Sequence, residues 1–121
     1  MFKIKQAKTY WARIYIATSR NYPHLAKEVA QQYCDEVGLC VNISKTEFIY
    51  SKGFGENGWC IELINYPRFP KENYVILNHA VELTERLIKE LKQLSASIVT
   101  PNNTLFIYLK EKVFNDKDIS E

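Results

Sequence analysis

Glycine is scarce in this chain: there are four in 121 residues, and three of them, Gly53, Gly55 and Gly58, fall within six positions. Gly53-Phe54-Gly55 neither opens a helical pattern nor leads into Gly-Lys-Ser/Thr. Neither dinucleotide-binding nor P-loop chemistry is therefore implied, and the cluster reads as a hairpin loop. Cysteine is sparse too. Cys34, Cys40 and Cys60 make an odd number with no CxxC spacing, poor for a disulfide framework and for zinc. No apolar run approaches the roughly 18 residues of a membrane span, and the start lacks the apolar core of a secretory signal. Free thiols in the cytoplasm are the expectation. An excess of charge is also missing: the net value is +2, and no lysine or arginine block occurs. That balance argues against DNA as a partner.

What is present is an ordinary globular composition, 46% hydrophobic and 25% charged. One domain over 1–121 is expected, with residues from about 112 onward as a flexible tail. Tyr10 to Ala17 is rich in aromatic and β-branched residues and reads as a strand. Pro23 suits a first helical residue; Leu25, Val29, Tyr33 and Val37 then recur every fourth position, and Gly38 is placed to end that helix. Leu39 to Ser44 alternates as a strand, Glu47 to Ser51 continues extended, and Trp59 to Tyr66 returns after the glycine loop. From 72 to 94, Ile76, Ala80, Leu83, Leu87, Leu91 and Leu94 mark a long amphipathic helix. Ser97 to Thr100 and Thr104 to Lys110 close the chain as a hairpin. The fold class is α+β: a two-layer sandwich, mainly antiparallel, of five to six strands with two helices on one face.

Catalytic motifs find little support. His24 and His79 stand outside any nucleophile or metal-ligand pattern, and Cys34 and Cys40 flank a helix C-terminus, where the dipole raises a thiol pKa. The Glu82-Arg86 and Glu85-Lys89 pairs belong to a solvated helix face. Glu47 and Glu62, both on strands, are the carboxylates open to a catalytic role. Phe54, at the tip of the glycine loop, is placed to close over a ligand or meet a second subunit.

The binding pattern is stronger. In Asn65-Tyr66-Pro67-Arg68-Phe69-Pro70, two prolines stiffen a connector that carries an arginine, two aromatics and an amide. Those groups suit a phosphorylated aromatic ligand. Arg20 and Tyr22 precede a helix N-terminus, a natural place for an anion with a stacking face beside it. Asn102 and Asn103 lie in a turn and suit sugar hydroxyls or base edges. Each segment also serves as a plain cap or turn.

Gly38-Leu39-Cys40-Val41, Thr46 to Tyr50, Leu63 to Pro70 and Ser97 to Pro101 together resemble the first-described family of phage Thoeris anti-defence proteins. The resemblance spans about residues 10 to 108, and Asn-Tyr-Pro-Arg-Phe-Pro is its most specific part. It implies a homodimer or larger homo-oligomer in the host cytoplasm. Such a protein sequesters a cyclic ADP-ribose isomer made by a TIR-domain enzyme without cleaving it, and uses no cofactor or metal. It also implies cyclic oligonucleotide binding at a separate site. On this reading Arg20 and Arg68 hold phosphates, Tyr22, Tyr66 or Phe69 stack on adenine, and Asn65, Asn102 or Asn103 read ribose or base edges. The rivals are a small nucleotide hydrolase using Glu47 or Glu62, and a protein-interaction module.

Overall fold

In β1, Trp11–Ala17, the side chains alternate strictly: Ala12, Ile14 and Ile16 are buried, while Trp11, Arg13 and Tyr15 face the other way. This is the pattern of a strand with one covered face. The structure, a computed structural model, describes residues 1–18 and 22–110. The predicted tail lies outside the described residues, apart from its approach to Lys110.

The elements that follow are α1 (Leu25–Val37), β2 (Asn42–Ile49), β3 (Gly55–Ile64), α2 (Asn73–Leu91), β4 (Ser95–Val99) and β5 (Thr104–Tyr108). They form one five-stranded sheet in the order β2-β3-β1-β4-β5, with every neighbouring pair antiparallel. The first six elements make a split βαβ arrangement, and β5 extends it by a hairpin. Two helices pack on one face, so the α+β two-layer architecture is as the patterning implies. The core joins Ala26, Val29 and Tyr33 of α1 and Ile76, Ala80, Leu83 and Leu87 of α2 to Ile14, Ile61 and Ile98 of the sheet. The opposite face carries no layer among the described residues.

Helix α1 ends where Gly38 adopts φ +71° and returns its N–H to the Cys34 carbonyl at 2.9 Å. That left-handed cap is open to glycine at little steric cost. Helix α2 ends at Leu91, three residues before the periodicity runs out. Lys92 turns left-handed, and the Leu94 carbonyl is taken by the Leu109 N–H at 3.0 Å, which starts the last hairpin. The two extended segments read between Leu39 and Ser51 are a single strand, β2, because Leu39 to Val41 only link α1 to it.

The glycine cluster forms a tighter turn than its length suggests. Lys52 and Gly53 at positive φ reverse the chain within a short 3-10 turn, Ser51–Gly53, and Gly55 already belongs to β3. Gly58 serves another purpose. A side chain there would collide with the Phe48 ring and the Ile16 carbonyl, so its absence lets Phe48 lie across the sheet.

Candidate functional site

Where β3 ends, the chain makes a four-residue turn. The Phe69 N–H donates to the Tyr66 carbonyl at 3.0 Å, with Pro67 at the second position, which its fixed φ favours. Asn65 braces this turn from both sides. Its backbone N–H bonds the Tyr10 carbonyl at 3.0 Å, its side-chain NH2 donates to the Lys8 carbonyl at 2.8 Å, and its side-chain oxygen accepts from the Lys71 N–H at 2.9 Å. The amide thus fixes where Tyr66, Arg68 and Phe69 are presented.

Those three residues line a cavity of about 220 Å³, closed on its other sides by Leu39, Cys40 and Ile76. The floor is apolar, and Arg68 and Lys71 are the cations at its edge. The Arg68 guanidinium lies 5.2 Å from the centroid of the Phe69 ring, a cation–π contact between two residues of the cavity lining. It makes no salt bridge among the described residues, leaving its donors open to an anion. The Cys40 thiol donates to the Tyr66 hydroxyl at 3.6 Å; burial, and then that contact, raise the tyrosine pKa. Tyr66 therefore stays neutral, an aromatic wall with a polar tip.

Four of the eight residues singled out from the sequence are thus brought together: Asn65, Tyr66, Arg68 and Phe69. Asn102 and Asn103 sit at the same end of the sheet, in the β4–β5 turn, where Thr100 Oγ1 accepts from both of their backbone N–H groups at 3.2 and 3.1 Å. Strand β1 lies between β3 and β4, which puts that turn about 10 Å across the sheet from the end of β3. Tyr22 is exposed ahead of α1, at the opposite end. Arg20 lies outside the described residues. Sequence reading missed Leu39, Cys40, Lys71 and Ile76. Lys71 was signalled only by following Pro70; the other three arrive through the packing of α1 and α2 against β3.

The two carboxylates considered for catalysis do not form a pair. Glu62 stands opposite Asn42 in the β2–β3 register and Glu47 opposite Asn57, an odd five-residue offset that puts them on opposite faces. Glu62 lies on the open face, held by Asn42 Nδ2 at 3.0 Å and Arg13 Nε at 2.6 Å. Those bonds, Asn42's first, lower its pKa and keep it ionised. His79 is engaged by the buried Tyr33 hydroxyl at 2.7 Å between the helices. Burial raises the pKa of both Cys34 and Cys60. Phe54 is exposed at its hairpin tip.

No known family's sequence pattern matches the chain, and neither does any curated protein sequence. Two solved structures match its fold. A phage SAM lyase in complex with S-methyl-5'-thioadenosine superposes with a TM-score of 0.68 at 14% identity, covering 93% of this chain and 99% of the other. The apo state of a phage SAM lyase gives 0.68 at 15% identity, covering 84% and 90%. At these identities the likeness is one of fold.

The expectation of a protein that binds without turnover is corrected by this finding, because the structures that share the fold nearly end to end are those of an enzyme. The lack of a nucleophile motif does not exclude catalysis: the substrate of a SAM lyase is a sulfonium that already carries its leaving group, so such an enzyme requires no serine, cysteine or histidine constellation.

Proposed function

We propose that this chain is a phage protein that counters host defence by acting on an adenosine-derived small molecule, and that its reaction is cleavage of S-adenosylmethionine. The near-complete overlap with a phage SAM lyase carries the reading. In such a cleavage the bond from sulfur to the aminobutyryl carbon breaks. Sulfur keeps the electron pair and departs as neutral S-methyl-5'-thioadenosine. Either the substrate's own carboxylate oxygen bonds to the carbon and closes a lactone, or a solvent base takes a proton from the neighbouring carbon as a C=C bond forms. Positive charge on sulfur is extinguished along the way, so a site that excludes water favours the transition state over the fully solvated substrate.

The cavity beneath Tyr66 and Phe69 supplies an aromatic wall for adenine, and Arg68 and Lys71 supply positive charge for the substrate carboxylate. Its 220 Å³ falls below the roughly 300–1,000 Å³ of typical small-molecule sites. It therefore takes part of the ligand and relies on a second surface to close. A homo-oligomer provides one. Met1, Phe2 and Ile4 stand fully exposed on the N-terminal segment, and Phe54 is exposed at its hairpin tip. Exposed apolar surface of this kind suits an interface.

A cyclic ADP-ribose isomer is the second ligand, favoured by one observation: two cations at the cavity edge suit a pyrophosphate better than a single carboxylate. Loss of either molecule would deprive host defences that depend on it. Calorimetry with S-adenosylmethionine, S-methyl-5'-thioadenosine and a cyclic ADP-ribose isomer, repeated with Arg68→Ala, separates the ligands. Binding of the two methylthio compounds, weakened at least tenfold in the variant, supports the lyase reading. Selective binding of the cyclic nucleotide moves the ligand assignment to it, and unchanged affinity in the variant removes the cavity from either.

A further inference from the structure

The open face of the sheet holds a second concavity, at the end away from the Arg68 cavity. It is a dish of about 320 Å³ with Tyr15, Phe48, Tyr50, Glu56, Ser95 and Ser97 among its walls. The register explains the grouping. Phe48 pairs with Glu56, and Tyr15 pairs with both Cys60 and Ser97, so all share one face with Gly58 between them. Because Gly58 has no side chain, Phe48 reaches across it and forms a wall. Ile64 and Gly58 are six residues apart on β3, which sets the two sites about 20 Å apart along the strands.

The chemistry of the dish is the reverse of the first site. Among the described residues, no lysine or arginine lines it. Its one ionisable carboxyl, Glu56, makes no salt bridge among the described residues. The Tyr50 hydroxyl donates to Glu56 Oε1 at 2.6 Å, which fixes the carboxylate across the hairpin and leaves its other oxygen open. An anchored, uncompensated carboxylate beside three aromatic rings is the environment that attracts a soft organic cation: ring faces meet the alkyl groups and the quadrupoles and carboxylate meet the charge. Among the described residues, an anion finds only neutral donor side chains here: the Gln93 amide, the two serine hydroxyls and the tyrosines.

We infer that this dish is a ligand site for a small organic onium ion, an alkylated ammonium or sulfonium centre, with Glu56 as counter-ion, Tyr50 as its positioning residue, and Tyr15 and Phe48 as ring contacts. The site stands independently of the function proposed above. That substrate is itself a sulfonium, so the test uses probes that lack adenine and read the dish alone.

Trimethylsulfonium, tetramethylammonium and neutral tert-butyl alcohol are titrated separately into the full chain, and the ring signals of Tyr15, Phe48 and Tyr50 are followed by NMR. Both cations are expected to shift these rings saturably, and the alcohol is not. Glu56→Gln is expected to weaken cation binding about tenfold, and Tyr50→Phe to weaken it less, each with an unchanged melting temperature because both side chains are substantially exposed. A response to only one cation keeps the site and assigns it to that onium type. Equal shifts with the alcohol, no saturable shift with either cation, or full affinity in Glu56→Gln would overturn the assignment. A double variant, Arg68→Ala with Lys71→Ala, is expected to bind the cations normally, which distinguishes failure at this site from failure at the other.

Discussion

Gly58 shows how one residue positions others by what it leaves out. The Phe48 ring occupies the space a Cβ would take, and the Ile16 carbonyl approaches from the neighbouring strand. Gly58→Ala should therefore destabilise the protein by about 1–3 kcal/mol through overpacking. A fall in melting temperature checks this, and the shift should shrink when Phe48→Ala is added. Glu62 offers a test by pH. Asn42 and Arg13 hold its folded pKa below the unfolded value. Its contribution is present above the unfolded pKa and disappears as pH falls through the folded one. Glu62→Gln should thus be less stable than the parent near neutrality, with the gap closing in acid; a constant gap down to low pH would exclude linkage. Its solvent exposure keeps the effect small. At this scale the sequence told only part. It marked the 53–58 cluster as special, yet it did not separate Gly53, which turns the chain, from Gly58, which makes room for a ring. That distinction depends on cross-strand register, which composition does not carry.

The elements themselves were legible wherever one residue set both period and end. Helix α1 announced itself by its four-residue spacing and by Gly38, and both survive in the structure. Helix α2 ran shorter than its periodicity because Leu94 is drawn into the closing hairpin. The site divides the same way. Asn65, Tyr66, Arg68 and Phe69 are contiguous, so a stiff turn was enough to bring them together. Cys40 and Ile76 join them only through the way both helices pack on β3. Between the helices, Tyr33 is fully buried, with its hydroxyl 2.7 Å from His79 Nδ1. Burial, and then the nearby Glu82 carboxylate, push its pKa up to about 12. A raised folded pKa means that stability is intact below the unfolded value near 10 and is lost as pH climbs through the folded one. Tyr33→Phe should cost about 1 kcal/mol at neutral pH and soften the alkaline loss between those two values. Denaturant melts at neutral and alkaline pH read both effects.

For the whole molecule, the described residues form two layers that leave one sheet face without a covering layer, and the Arg68 cavity and the aromatic dish lie toward opposite ends of the sheet. The cationic cavity lies at the C-terminal end of β3 and the aromatic, acidic dish at the other, separated by the length of β1. The proposed assembly of identical chains would cover exposed apolar side chains such as Phe2, Ile4 and Phe54. If it forms through the hairpin tip, Phe54→Glu should shift the chain toward monomer in light scattering or sedimentation while the melt stays cooperative. A monomeric parent protein would remove the oligomer from the proposal. The charge balance that argued against DNA and the absence of a nucleophile motif follow from composition. The likeness to the phage SAM lyase structures lies in the fold, at 14–15% identity, and composition carries no sign of it.

The most direct measurement is turnover. Purified protein is incubated with excess S-adenosylmethionine carrying a labelled methyl group, and the products are separated by chromatography. Several equivalents of labelled S-methyl-5'-thioadenosine per chain, formed faster than in a protein-free control and lost with Arg68→Ala, would establish the lyase and its site. S-adenosylmethionine recovered intact at the control rate would contradict it.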